Sequence, residues 1–215
     1  MKTPTITAIL KILDECYPFD GRCFLNYDER EPWQLLFATI LSAQCTDARV
    51  NLVTAELFKK FPTLQAFATV EIADIEAEIY STGFYRAKAR SLQESARRLI
   101  DDFGGELPSD IDTLTSLGGV GRKTANVVRG HIFKIPSVVV DTHVGRISRH
   151  LGFSAHKDPV KVENDLMRVL PESCWIKYNQ QAITHGREIC RARNPLCGDC
   201  PLAEYCTSFN LNKKD

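Results

Sequence analysis

A chain of 215 residues with 44% hydrophobic side chains is long enough for one large core or two small ones. No apolar run approaches the roughly 20 residues of a membrane helix, and Asp14 and Glu15 close the first apolar stretch without a signal-peptide cleavage site, so a soluble intracellular protein is expected. Net charge is zero, yet residues 1–114 hold 12 Lys/Arg against 18 Asp/Glu and residues 115–215 hold 15 against 9, a split that can present one positive face to nucleic acid.

Nearly every segment predicts helix. After Pro4, residues 5–15 place Ile6, Ile9, Leu10 and Leu13 at helical spacing. Glu31-Pro32 opens WQLLFATILSAQ, apolar on all sides and therefore expected to be a buried central helix. Helices follow at 47–60 and in VEIADIEAEIYST. Gly83 breaks the chain before YRAKARSLQESARRLIDDF, an amphipathic helix stopped by Gly104-Gly105. Short helices at 110–116 and 122–132 flank a glycine-rich turn. PSVVVD (136–141) alone resembles a strand, with nothing to pair against. Helices at 142–151, 159–169 and 174–189 complete an all-α chain of two helical lobes.

The turn in SLGGVGRKTANVV is not a nucleotide-binding phosphate loop, because Arg122 separates Gly121 from Lys123 where direct succession is required. It predicts helix, tight turn, helix. Gly119 and Gly121 can take positive φ and Val120 between them offers an apolar plug. Bare glycine amides and the positive end of the second helix suit one backbone phosphate, held without reading a base. Lys123 falls in the first turn of that helix, where a cation is disfavoured and burial would favour the free amine. Beside bound DNA such an amine is a nucleophile able to form a Schiff base; simple phosphate pairing is the plainer alternative. Asp141, after three valines, reads as the N-cap of the next helix.

Eight cysteines are many for a cytosolic chain, and four crowd into CRARNPLCGDCPLAEYC: Cys190, Cys197, Cys200 and Cys206. Four thiolates within seventeen residues can enclose one metal centre, iron–sulfur or zinc by spacing alone. Cys16, Cys23, Cys45 and Cys174 read as scattered thiols.

Together, the helix-hairpin-helix segment, the lysine two residues after it, VDTHVGR and the four-cysteine tail resemble the endonuclease III family of DNA glycosylase/lyases, over residues 5 to 208. The resemblance implies a six-helix barrel over 24–135, with the helix-hairpin-helix at about 110–132, and a second domain of 1–23 plus 136–215 with a [4Fe–4S] cluster on Cys190, Cys197, Cys200 and Cys206. It implies that DNA binds in the cleft between lobes, where Lys123 as nucleophile and Asp141 as essential carboxylate meet. The activity implied is release of oxidised or ring-saturated pyrimidines such as thymine glycol, then strand cleavage 3′ to the abasic site by β-elimination. Gln44 matches the gap-filling glutamine, Phe84 stands where a leucine wedge is common, and His143 lies beside Asp141 where a flipped pyrimidine is expected. Gly119, Val120 and Gly121 would hold a phosphate, and Arg191 and Arg193 would brace the cluster loop against DNA. Gly118 stands in place of the proline usual before the hairpin, and Asn194 in place of a lysine. The implied partner is duplex DNA with damaged pyrimidines or abasic sites, met by a monomer at the nucleoid in the cytoplasm. Adenine-mismatch glycosylases are the nearest alternative, but they carry a glutamate where this chain has Thr39 and have no lysine at 123. A non-catalytic DNA-binding or redox-sensing protein would use hairpin and cluster alone.

Overall fold

Helix α2 (Trp33–Leu41) has no face for water, and every one of its residues is buried. Its one hydroxyl is satisfied internally: Thr39 Oγ1 donates to the Leu35 carbonyl at 2.7 Å. The protein is described by a computed structural model over residues 3–211. The chain divides into two compact units, residues 22–135 and the segments up to Gly21 and from Pro136 onward.

In the unit of residues 22–135, α2 packs against α3 (Asp47–Lys60), α6 (Tyr85–Phe103) and α8 (Arg122–His131). The helices between them are α4 (Leu64–Thr69), α5 (Ile72–Ile79) and α7 (Ile111–Thr115). Trp33, Phe37 and Phe67 meet edge-on, with Phe37 and Phe67 centroids 5.0 Å apart, a preferred aromatic arrangement. The caps follow the local chemistry. Thr46, Thr63 and Asp110 each accept a first-turn amide of α3, α4 and α7. Gly104, at φ +62°, ends α6, and the Gly104 and Gly105 amides return to the Ile100 and Leu99 carbonyls.

The other unit gathers α1 (Thr3–Cys16), α9 (Thr142–His150), α10 (Pro159–Val169), α11 (Trp175–Glu188) and α12 (Thr207–Leu211). Ile9, Leu10 and Leu13 of α1 join Val144, Ile147, Leu166 and Tyr178 in its core. Tyr178 is wholly buried, its hydroxyl 2.9 Å from that of Ser148. Lys177 pairs with Asp14 at 2.7 Å and ties α11 to α1.

No strand occurs among the described residues. The segment 136–141 has no regular secondary structure, and two of its backbone groups are met by a side chain instead of a neighbouring strand. Asn179 Oδ1 accepts from the Val139 amide at 3.1 Å, while Asn179 Nδ2 donates to the Ser137 carbonyl at 3.0 Å. Two short helices, α4 and α12, exceed the sequence expectation. No helix among the described residues is long and apolar enough to cross a membrane.

Replacing Asn179 by leucine keeps the volume but orphans one buried donor and one buried acceptor. The variant is expected to lose about 3 kcal/mol of stability in urea denaturation.

Candidate functional site

The turn between α7 and α8 is closed by the Val120 amide, which donates to the Leu117 carbonyl at 3.2 Å, and Val120 is buried as the expected plug. Gly119 sits at φ +72°, and a Cβ there would stand 2.6 Å from Ser91 Oγ and 3.5 Å from Ile40 Cγ2. Conformation and space both demand glycine. Gly121 corrects the expectation of positive φ: it is extended, with φ −90°, as the N-cap of α8. A Cβ at Gly121 would meet nothing within 4 Å, so what the glycine leaves is open space in front of the first turn of α8.

No side chain caps α8 and no acidic residue lies in its first turn. The partial positive charge at the start of α8 is therefore not offset by a cap or a first-turn acid, an arrangement suited to a phosphate. Lys123, the second residue of α8, is exposed, so desolvation by the protein itself, the burial weighed from the sequence, does not occur. Ser116, Leu117 and Gly118 lead into this turn, and Ser95 Oγ donates to the Gly118 carbonyl at 3.1 Å.

Gln44 and Phe84 lie in the same unit as Lys123. Both are exposed non-glycine residues in left-handed backbone, at φ 53° and 49°. Phe84 is 67% exposed, so its ring is not part of the core.

In the other unit Asp141 is the N-cap of α9 and accepts the Val144 amide at 2.8 Å. His143, one helical residue further in, is half-buried. Burial lowers its pKa from the usual imidazole value, partly opposed by the charge of Asp141. Arg146 Nη2 lies 3.2 Å from His143 Nδ1; an arginine can only donate, so Nδ1 accepts. Gly186 makes this contact possible, since a Cβ there would come within 2.5 Å of His143 Nδ1. Arg146 also donates to the Cys190 carbonyl, Nη2 at 2.7 Å and Nε at 3.2 Å, and so ties α9 to the first cysteine of the tail. Arg146 has no role in the sequence reading, although it ends the VDTHVGR motif; its signal was an arginine one turn beyond a capped helix start.

Cys190, Cys197, Cys200 and Cys206 line one cavity of about 280 Å³, part of it open to solvent. Its other walls are apolar: Ile189, Pro195, Leu196, Ala203 and Phe209. Among the described residues no group of three or more His, Cys, Asp or Glu is drawn together as the site of a single metal ion. Four thiols ringing a shared apolar space fit a multi-atom iron–sulfur core better than one zinc ion. Burial raises the Cys190 and Cys200 thiols above their usual range, a cost that coordination to a cationic metal core offsets.

Buried His185 lies against one of the four cysteines, with Nε2 3.7 Å from Cys200 Sγ and Nδ1 2.9 Å from the Tyr17 hydroxyl. Burial first, and then the charge of Arg146, push its pKa down to about 4, so the ring is neutral. With Cys200 as a thiolate ligand, Sγ would only accept, which would place the ring hydrogen on Nε2 and leave Nδ1 to accept from Tyr17. Arg191 and Arg193 are exposed on the loop between the first two cysteines. Asn194, at φ 51°, takes the left-handed turn that asparagine tolerates better than lysine.

Residues 37–172 match the HhH-GPD superfamily of base excision DNA repair proteins, and residues 190–206 match the iron–sulfur binding domain of endonuclease III. Endonuclease III of Synechocystis sp. is 48% identical, over 96% of this chain and 94% of its own. That of Bacillus subtilis is 45% identical over 92% of each. A solved structure of a trapped endonuclease III–DNA covalent intermediate superposes with a TM-score of 0.92 at 41% identity, covering 99% of both chains.

Replacing His185 by leucine removes the hydrogen-bond partner of Cys200 Sγ. Voltammetry of the loaded protein should show a lower cluster reduction potential than wild type, because hydrogen bonds to the sulfurs favour the reduced, more negative state.

Proposed function

This chain belongs to the endonuclease III family, and from that premise we propose how its own residues act. It is a base-excision DNA N-glycosylase and abasic-site lyase with a [4Fe–4S] cluster, acting on damaged pyrimidines. In our reading Lys123 is the nucleophile and Asp141 the essential carboxylate, the substrate is oxidised or ring-saturated pyrimidine in duplex DNA, and the protein works as a monomer at the nucleoid in the cytoplasm. Residues 24–135 form the barrel domain with the hairpin, and 1–23 with 136–215 form the cluster domain. Cys190, Cys197, Cys200 and Cys206 would hold the cluster, which supplies bracing for a basic loop rather than chemistry on the base.

One observation carries the assignment of Lys123: an exposed amine follows directly on an uncapped helix start with open space before it. A phosphate held on the α8 amides by Gly119, Val120 and Gly121 fixes the strand, and the amine one helical residue on is then near a sugar. The covalent intermediate trapped in the similar protein supports a covalent route here. Since Lys123 is exposed in the protein alone, exclusion of water from its amine falls to the DNA itself.

The Lys123 lone pair bonds to C1′ as the bond from C1′ to the base breaks, and that electron pair leaves with the base, which takes a proton. Asp141 stabilises the positive charge developing on the sugar and helps activate the amine. The C1′–O4′ bond then opens, O4′ takes a proton, and a protonated Schiff base remains. The iminium acidifies C2′; as that proton departs, the C3′–O3′ bond breaks with its pair on the phosphate. Water hydrolyses the imine and returns the amine. Gln44 and Phe84 fill and wedge the gap left by the extruded nucleotide, His143 contacts the flipped pyrimidine, and Arg191 and Arg193 meet phosphates.

Thr39 argues against the adenine-mismatch alternative, since its hydroxyl is committed to the Leu35 carbonyl and carries no carboxylate.

Lys123→Gln is expected to abolish nicking of abasic duplex. Asp141→Asn still caps α9, because asparagine caps as well as aspartate, yet should slow single-turnover excision of thymine glycol by at least about 100-fold. Near-wild-type rates from either variant contradict the assignment.

A further inference from the structure

Lys88 lies in α6, and its side chain points inward: the residue is 5% exposed. Its ammonium donates to two backbone carbonyls, Leu41 and Thr82, at 2.8 Å each. Leu41 is the last residue of α2, and Thr82 ends the 3₁₀ turn that precedes Gly83. Each carbonyl stands just before one of the two exposed left-handed tips, three residues ahead of Gln44 and two ahead of Phe84. The Lys88 amide also donates to the Phe84 carbonyl at 3.1 Å. That last bond is the first-turn bond of α6 that any residue would make; the two ammonium bonds are what the lysine side chain adds ahead of both tips.

A lysine is a costly choice for such a place. The neighbouring α6 residues Ala89, Leu92 and Ala96 are wholly buried and apolar, and an unbranched apolar side chain would fit the same path. Burial lowers the lysine's pKa, opposed only by Cys45, the residue after Gln44. What an apolar residue could not do is join the end of α2 to the turn before α6, since those two carbonyls need a shared donor.

We propose that Lys88 is a positioning residue for base extrusion: it clamps the Gln44 and Phe84 tips into one rigid unit, so that gap filling and wedging occur together. This rests on the reading of those tips as the duplex-opening residues. Lys88 is buried behind the two loops and acts through them.

The test compares two substrates: thymine glycol in a paired duplex, which must be extruded, and an abasic site in a single-stranded oligonucleotide, which needs no extrusion. Lys88→Met preserves length and packing but removes the donor, and Lys88→Arg restores a cation. For Lys88→Met the duplex excision rate should fall at least about tenfold while single-strand cleavage stays within about twofold. Lys88→Arg should recover part of the loss. Adding Lys88→Met to Phe84→Ala should cost little more than Phe84→Ala alone, as expected of groups acting as a unit. Unchanged duplex excision by Lys88→Met overturns the clamp, and so does an equal loss on both substrates, which marks a general folding defect. If Phe84→Ala and Gln44→Ala both excise normally from duplex, the tip assignment itself fails, an outcome separate from failure of the clamp.

Discussion

Residue 119 comes so close to α6 that a single added carbon would collide with Ser91 Oγ, while Ile40 of α2 stands at van der Waals distance behind it. That approach seats the hairpin on the core, and the start of α8 follows from it. Because α2 is buried on every side, the platform beneath the hairpin has no freedom to adjust. The Lys123 amine is delivered by this packing rather than by a loop. A rigid support of that kind is what a nucleophile needs, since an error of about 1 Å at the reacting atom costs orders of magnitude in rate.

The carboxylate half is held by a different device. Asp141 is fixed by capping α9, and the same helix is gripped by Arg146, whose guanidinium reaches the Cys190 carbonyl. The helix that the acid caps is thus joined by hydrogen bonds to the start of the cysteine loop. Tyr17 and His185 extend the same network from the end of α1 to Cys200. The thiol side of the cavity is thereby joined to the unit's own core.

Much of this was legible from local chemistry. An apolar run without a polar face read directly as the central helix, Asp141 after the valines read as a cap, and the cysteine spacing marked the cavity. What stayed hidden depends on contacts distant in sequence. Lys88 on an amphipathic helix reads as a surface charge until Leu41 and Thr82 fold over it. Gly121 looked like a second positive-φ glycine because its neighbour is one, yet only the turn geometry decides which of the pair bends. The α4 helix was short enough to lack periodicity, though Thr63 carried its cap signal. Whether Lys123 is buried was likewise beyond reach of the sequence, as exposure belongs to the packed hairpin.

In this account the Lys123 amine attacks the sugar. Borohydride reduction of the protein with abasic duplex, followed by proteolysis and mass spectrometry of the DNA-bearing peptide, reads this directly. The nucleotide remnant should map to Lys123 in the wild-type protein; a remnant on Lys134, on the N-terminal amine or on any other residue would show that the hairpin delivers the strand to a different nucleophile.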